Sequence, residues 1–164
     1  TETYFEFKAY IDSDTWQDVP FYISAGKALN EAKVCVEIIF HDVATGPFET
    51  SACLTVGNTI LLSISPQQAM HITLNVKKPG HEYEIESHTL GYTWDDSEHL
   101  PVDAYQKVLL DCIEGDQTLF TETREVLASL KFIASIMDNW QKIPLYTYAK
   151  GSDGPEQTLR EYNK

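Results

Sequence analysis

Apolar and polar residues alternate along most of the first hundred positions, the period of a strand with one face in and one face out. Phe5, Phe7, Ala9 and Ile11 alternate with Tyr4, Glu6, Lys8 and Tyr10; Val34, Val36, Ile38 and Phe40 alternate with Lys33, Cys35, Glu37 and Ile39. Ile60, Leu62 and Ile64 continue the pattern up to Pro66, as do Met70, Ile72, Leu74 and Val76. The short Ser65–Ala69 connection predicts that these two form an antiparallel hairpin. Between the first two alternating runs, Asp12–Pro20 reads as a turn with Trp16 packed on the sheet, and Phe21–Ala25 reads as an apolar strand ending at Gly26 and Lys27. His41–Asn58, rich in Gly, Thr and Ser, reads as a disordered surface loop, and Lys78-Pro79-Gly80 as a strand end. Tyr83 and Ile85, set against Glu82, Glu84, Glu86 and His88, open a further strand with one acidic, solvated face.

From Leu100 the period changes. Tyr105, Val108, Leu109, Cys112 and Ile113 recur at three- and four-residue steps, with Pro101 near the start and Gly115 past the end, as in an amphipathic helix. A second helix is expected from Thr123 as N-cap, with Val126, Leu130, Ile133, Met137 and Trp140 on one stripe until Lys142-Ile143-Pro144 stops it. The tail from Pro144 to Lys164 has weak order signals and is expected to wrap the surface. Strands first and helices last predict one α+β domain over residues 1–164: a large, mainly antiparallel sheet with helices packed on one face.

Charge narrows the partners. The 164 residues carry a formal charge of −13, with Arg124 and Arg160 the only arginines, so neither nucleic acid nor an anionic membrane surface is an expected partner. Three cysteines, Cys35, Cys53 and Cys112, form no ligand pattern, and their odd number favours a reducing, cytoplasmic setting. No apolar run has the length of a bilayer span. The sequence begins at Thr1 and enters a strand at once, which suggests a piece of a longer protein.

Candidate chemistry is sparse. Gly26 allows a sharp turn or a close ligand approach, and Lys27 adds a mobile ammonium at that turn, an arrangement suited to an anion. A strand-end Gly-Lys is more often a plain turn with a solvated lysine. The His81–His88 run splays its histidines and carboxylates along a strand and reads as a solvated edge; His71 and His41-Asp42 stand near no nucleophile motif and read as structural. No Walker loop or GxGxxG occurs.

Several blocks in succession resemble the C-terminal domain of glucose-6-phosphate dehydrogenase. They are Trp16–Asn30 with its Gly26-Lys27-Ala28-Leu29 core, Phe40–Val43, Lys77–Gly80, Leu100–Asp111, Gly115–Thr121 and Pro144–Pro155. The resemblance implies an enzyme that, as a full-length protein, oxidises glucose 6-phosphate to 6-phosphoglucono-lactone with NADP at the entry of the oxidative pentose phosphate pathway. It places the Rossmann domain and the catalytic histidine ahead of this segment, so the segment alone is expected to be inactive and to bind no cofactor. It implies a homodimer formed through the sheet, and it matches Lys27 to the family lysine that contacts the sugar phosphate. The alternative from another class is a free-standing, non-catalytic dimerisation or regulatory module.

The sequence departs from the family in places. A second basic substrate contact is often found five residues after that lysine; here the position is Ala32, and Lys33 is the nearest substitute, a second candidate substrate ligand. Animal members hold an additional structural NADP through basic side chains, but the matching positions here are Glu37, Ser63, Thr73 and Asp153, which predicts no such nucleotide. Leu130 stands where the family usually has tryptophan, which implies a different packing of the core there.

Overall fold

A computed structural model of the chain describes residues 3–41, 57–81, 84–94, 104–118 and 120–156. The chain divides into two units: Thr1–Trp94 with Thr147–Lys164, and Asp95–Tyr146.

The first unit holds the strands, β1 (Tyr4–Ala9), β2 (Phe21–Gly26), β3 (Val34–Ile39), β4 (Thr59–Ser65), β5 (Ala69–Lys77) and β6 (Ile85–Thr93). They fall close to the alternating runs and pair only antiparallel, but as two sheets, β1-β2 and β3-β4-β5-β6. The strands on either side of Lys27 therefore belong to different sheets, and the Gly-Lys segment is a crossing between sheets rather than a hairpin tip. β1 stops at Ala9, two residues short of the alternating pattern, because the turn begins there: the Ser13 N–H donates to the Ile11 carbonyl at 2.9 Å. Trp16 packs edge-on against Phe21, centroids 5.5 Å apart, the role its place in the turn predicts.

Pairing in the four-stranded sheet lines up Val36, Leu62, Met70 and Tyr92 across it, and beside them Ile38, Ile60, Ile72 and Leu90. The alternate positions carry Glu37, Leu61, His71 and Gly91, then Ile39, Thr59, Thr73 and Thr89. One face is thus apolar and the other largely polar, as period-two patterning requires. The polar face has its own cross-strand hydrogen bonds: the hydroxyls of Thr73 and Thr89 lie 3.0 Å apart, and Ser87 donates to Asn75 at 2.6 Å. Gly91 lies under the His71 ring, where a Cβ would come 3.0 Å from Cδ2. The predicted β4-β5 hairpin is present, and the Ser65–Pro66 peptide in its connection is cis.

The second unit holds α1 (Ala104–Glu114) and α2 (Thr123–Met137). α1 ends as its sequence predicts: Gly115 takes φ +74° and the Asp116 N–H reaches back to the Asp111 carbonyl at 2.9 Å, a Schellman closure. The Asp116 carboxylate then accepts from the Thr118 hydroxyl at 2.6 Å and from its N–H at 2.9 Å, and the hydroxyl bond, more than the backbone one, holds the Asp116 pKa below the usual carboxylate value. The expected N-cap of α2 is displaced by one residue. Glu122, extended at φ −70° and ψ 150°, is the cap and Thr123 the first helical residue, because the Val126 N–H takes the Glu122 carbonyl and no side chain caps the end. Leu130, at the position of the family tryptophan, is exposed in its helix.

Antiparallel sheets followed by two helices give the α+β class that the sequence predicts. Most of the predicted 41–58 loop, the Asp42 and Cys53 side chains, Glu82, Tyr83, Pro101 and the tail beyond residue 156 lie outside the described residues.

Candidate functional site

Lys27 follows the last residue of β2, and its main chain is held at both ends. Its N–H donates to the Thr3 carbonyl at 2.8 Å, continuing the β1-β2 ladder, and its carbonyl accepts from the Tyr148 hydroxyl at 2.8 Å. The same hydroxyl lies 2.9 Å from Thr3 Oγ1 and 3.1 Å from the Thr3 carbonyl. The next two tethers also come from the segment around residue 150: Gly151 N–H to the Ala28 carbonyl at 2.8 Å, and Asn30 N–H to the Ser152 carbonyl at 2.9 Å. Ala28 sits at φ +53°, a conformation that β-carbon sterics disfavour and that these bonds compensate.

Gly26 is required for a packing reason. A Cβ there would come 2.6 Å from Cδ2 of Tyr4, and a Cβ at Gly154 would come 2.9 Å from the neighbouring Cε2 of the same ring. The Tyr148 ring packs on the same residue, its centroid 5.7 Å from that of Tyr4. The turn, strand β1 and residues 148–155 are therefore one packed assembly, and Pro155 at its end is buried.

Against this fixed main chain, the Lys27 side chain is exposed and its ammonium has no hydrogen bond or ion pair among the described residues. Lys33 differs. Its ammonium is 2.9 Å from Glu31, and its pKa is raised, chiefly by that hydrogen bond and then by the charge of the same carboxylate, with Asp153 adding a smaller attraction. The two candidate lysines are thus both present at the crossing between the sheets, one available to an anion and one already neutralised.

The other candidates keep structural roles. His88 pairs with Glu86 at 2.7 Å on edge strand β6, and among the described residues no three His, Cys, Asp or Glu side chains form a metal-capable group. Lys77 closes the Lys-Lys-Pro-Gly turn by donating to the carbonyls of Lys78 and Gly80, at 2.9 and 2.7 Å. Sequence reasoning missed Tyr4, Tyr148 and Gly154. Their signal was the glycine pair of Gly151-Ser152-Asp153-Gly154, which marks a shaped backbone rather than a loose tail. No helix among the described residues is long and apolar enough to cross a membrane.

The described residues define an α+β chain in which a lysine-bearing turn is tied to a segment distant in sequence. Comparison with known proteins gives this class a family. The family model described as glucose-6-phosphate dehydrogenase, C-terminal domain, matches residues 1–164, and the chain belongs to that family. Curated relatives named glucose-6-phosphate 1-dehydrogenase include one from Borreliella burgdorferi, 32% identical over 158 residues, covering 96% of this chain and 33% of the relative. Another, from Gluconobacter oxydans, is 33% identical over 164 residues, covering 98% and 33%. A solved glucose-6-phosphate dehydrogenase in complex with its substrate glucose-6-phosphate superposes with a TM-score of 0.82 at 29% identity, over 98% of this chain and 33% of that one. The enzyme from Mycobacterium avium gives 0.77 at 25% identity, covering 95% and 32%. The chain spans about one third of the length of the curated relatives it matches.

Proposed function

We propose that this chain is the substrate-side and dimerisation domain of a cytoplasmic, NADP-dependent glucose-6-phosphate dehydrogenase of the oxidative pentose phosphate pathway. The reaction removes a hydride from C1 of glucose 6-phosphate and a proton from its C1 hydroxyl, leaving 6-phosphoglucono-lactone; NADP supplies the hydride acceptor. The hydride and proton steps belong to the Rossmann domain and the catalytic histidine expected elsewhere in the full-length protein. This domain's contribution is to hold the substrate phosphate.

The observation that carries the reading is Lys27: an unengaged ammonium on a main chain fixed at both ends, in a protein whose overall charge repels phosphate. A preordered backbone lowers the entropy lost on binding, and a lysine offers a point charge to a dianion. Lys33, the other candidate, is held by Glu31 and contributes little to binding the phosphate. In the full-length dehydrogenase, Lys27→Ala is expected to raise KM for glucose 6-phosphate at least about tenfold, since a charge-assisted hydrogen bond contributes roughly 1.5–3 kcal/mol. An unchanged KM would remove Lys27 from the site.

The positions that hold a structural nucleotide in animal members do not fit one here. Glu37 and Asp153 would set carboxylates against its phosphates, and the Thr73 hydroxyl is engaged with Thr89. Titrating NADP into a variant disabled at the Rossmann site is expected to show no saturation; a Kd near micromolar, roughly −8 kcal/mol, would contradict this.

Pairing through the sheet is supported by its exposed apolar side chains, among them Val36, 47% exposed, and Leu90, 62% exposed. Light scattering on the full-length enzyme is expected to give a dimer that Val36→Asp shifts toward monomer; a monomeric wild type would rule the dimer out.

A further inference from the structure

We propose that Tyr148 is a positioning residue for the substrate lysine: its hydroxyl, donated to the Lys27 carbonyl at 2.8 Å, ties the segment 148–155 to the turn and thereby sets affinity for the sugar phosphate. This inference rests on the reading of Lys27 as the phosphate contact. Tyr148 lies 121 residues from Lys27 in sequence, and among the described residues its side chain hydrogen-bonds only to Thr3 and Lys27. A phenol has one proton, and three oxygens surround it. The shortest of its three contacts is the one to the Lys27 carbonyl, 2.8 Å, against 2.9 Å to Thr3 Oγ1 and 3.1 Å to the Thr3 carbonyl. The Thr3 carbonyl accepts the Lys27 N–H, 2.8 Å away. With the phenol proton on the Lys27 carbonyl, Lys27 is held at both its N–H and its carbonyl.

The surroundings make the tether directional. The Tyr148 ring packs on Tyr4, whose ring edge lies against Gly26 and Gly154. The two backbone bonds, Gly151 to Ala28 and Asn30 to Ser152, lock the following residues of the turn to the same segment. A displacement of residues 148–152 therefore moves the main chain that carries Lys27, while the catalytic groups expected in the Rossmann half are untouched. Losing the hydroxyl should weaken substrate binding without slowing the chemical step.

The test is kinetic, in the full-length dehydrogenase, with Tyr148→Phe, Lys27→Ala and the double variant. Tyr148→Phe is expected to raise KM for glucose 6-phosphate about fivefold, the size of one neutral hydrogen bond, with kcat and KM for NADP within about twofold of wild type. In the Lys27→Ala background the same change is expected to add nothing, because there is no ammonium left to position. If Lys27→Ala raises KM and Tyr148→Phe leaves it unchanged, or if the two effects multiply in full, the positioning role is overturned while the reading of Lys27 stands. If Lys27→Ala itself leaves KM unchanged, that reading fails and the inference falls with it. Should Tyr148→Phe not fold, Gly151→Ala takes its place: its Cβ would meet open space, but its φ of +82° strains the segment without touching either side chain. A raised KM that vanishes in the Lys27→Ala background supports the proposal, and an unchanged KM overturns it.

Discussion

Lys27 and Lys33 stand six residues apart and are ordered from opposite ends. At Lys27 the main chain is fixed by Thr3 and Tyr148 and the ammonium is left unengaged; at Lys33 the ammonium is fixed by Glu31 at 2.9 Å. An anion site needs the first arrangement. Backbone order there is established by folding, so the ligand does not have to supply it, whereas an ammonium already paired must exchange one carboxylate for another anion at little gain. Spacing and residue type alone rate the two lysines as near equivalents, and their surroundings separate them.

The comparison breaks most severely at Gly26. Gly26→Ala brings a methyl to 2.6 Å from the Tyr4 ring and is expected to cost about 1–3 kcal/mol. Urea unfolding reads this directly, and a midpoint equal to wild type would show that the ring has room to move. Next comes the kinetic contrast: against the tenfold effect expected at Lys27, Lys33→Ala should change KM for glucose 6-phosphate by less than about twofold. A larger effect at Lys33 than at Lys27 would reverse the assignment.

The smallest effect is on titration. Glu31 raises the Lys33 pKa, so the pair's contribution is fully present below the ordinary value of 10.5 and is lost as pH rises through the higher folded value. NMR titration of the Lys33 side chain should show Glu31→Gln lowering its midpoint toward 10.5, with Asp153 preserving part of the rise. No movement of the midpoint would mean that the Glu31 contact is not formed in solution. Through neutral pH the pair is intact, so pH does not release Lys33 for substrate in the working range.

What the sequence made legible was local. Period-two alternation located the strands near the Gly26-Lys27 turn and the β4-β5 hairpin, and the three- and four-residue steps found both helices, because each pattern is written within a few residues. The glycine-lysine turn itself was readable for the same reason. The order of residues 148–155 was not, since it comes from long-range contacts with Thr3, Tyr4 and the 26–30 turn rather than from periodicity. The division into two sheets was hidden likewise: alternation says which face a residue takes and nothing about which strand lies beside it. At α2, Thr123 looked like the better cap by side-chain preference, but the backbone bond from Val126 to Glu122 set the boundary one residue earlier.

The central claim is that Lys27 takes the phosphate of glucose 6-phosphate, and the structure of the full-length dehydrogenase with that substrate bound tests it most directly. The account predicts Lys27 Nζ about 2.7–2.9 Å from a phosphate oxygen, with the Tyr148 hydroxyl still on the Lys27 carbonyl and Lys33 still on Glu31. A phosphate seated on other groups, with Lys27 turned into solvent, would contradict it.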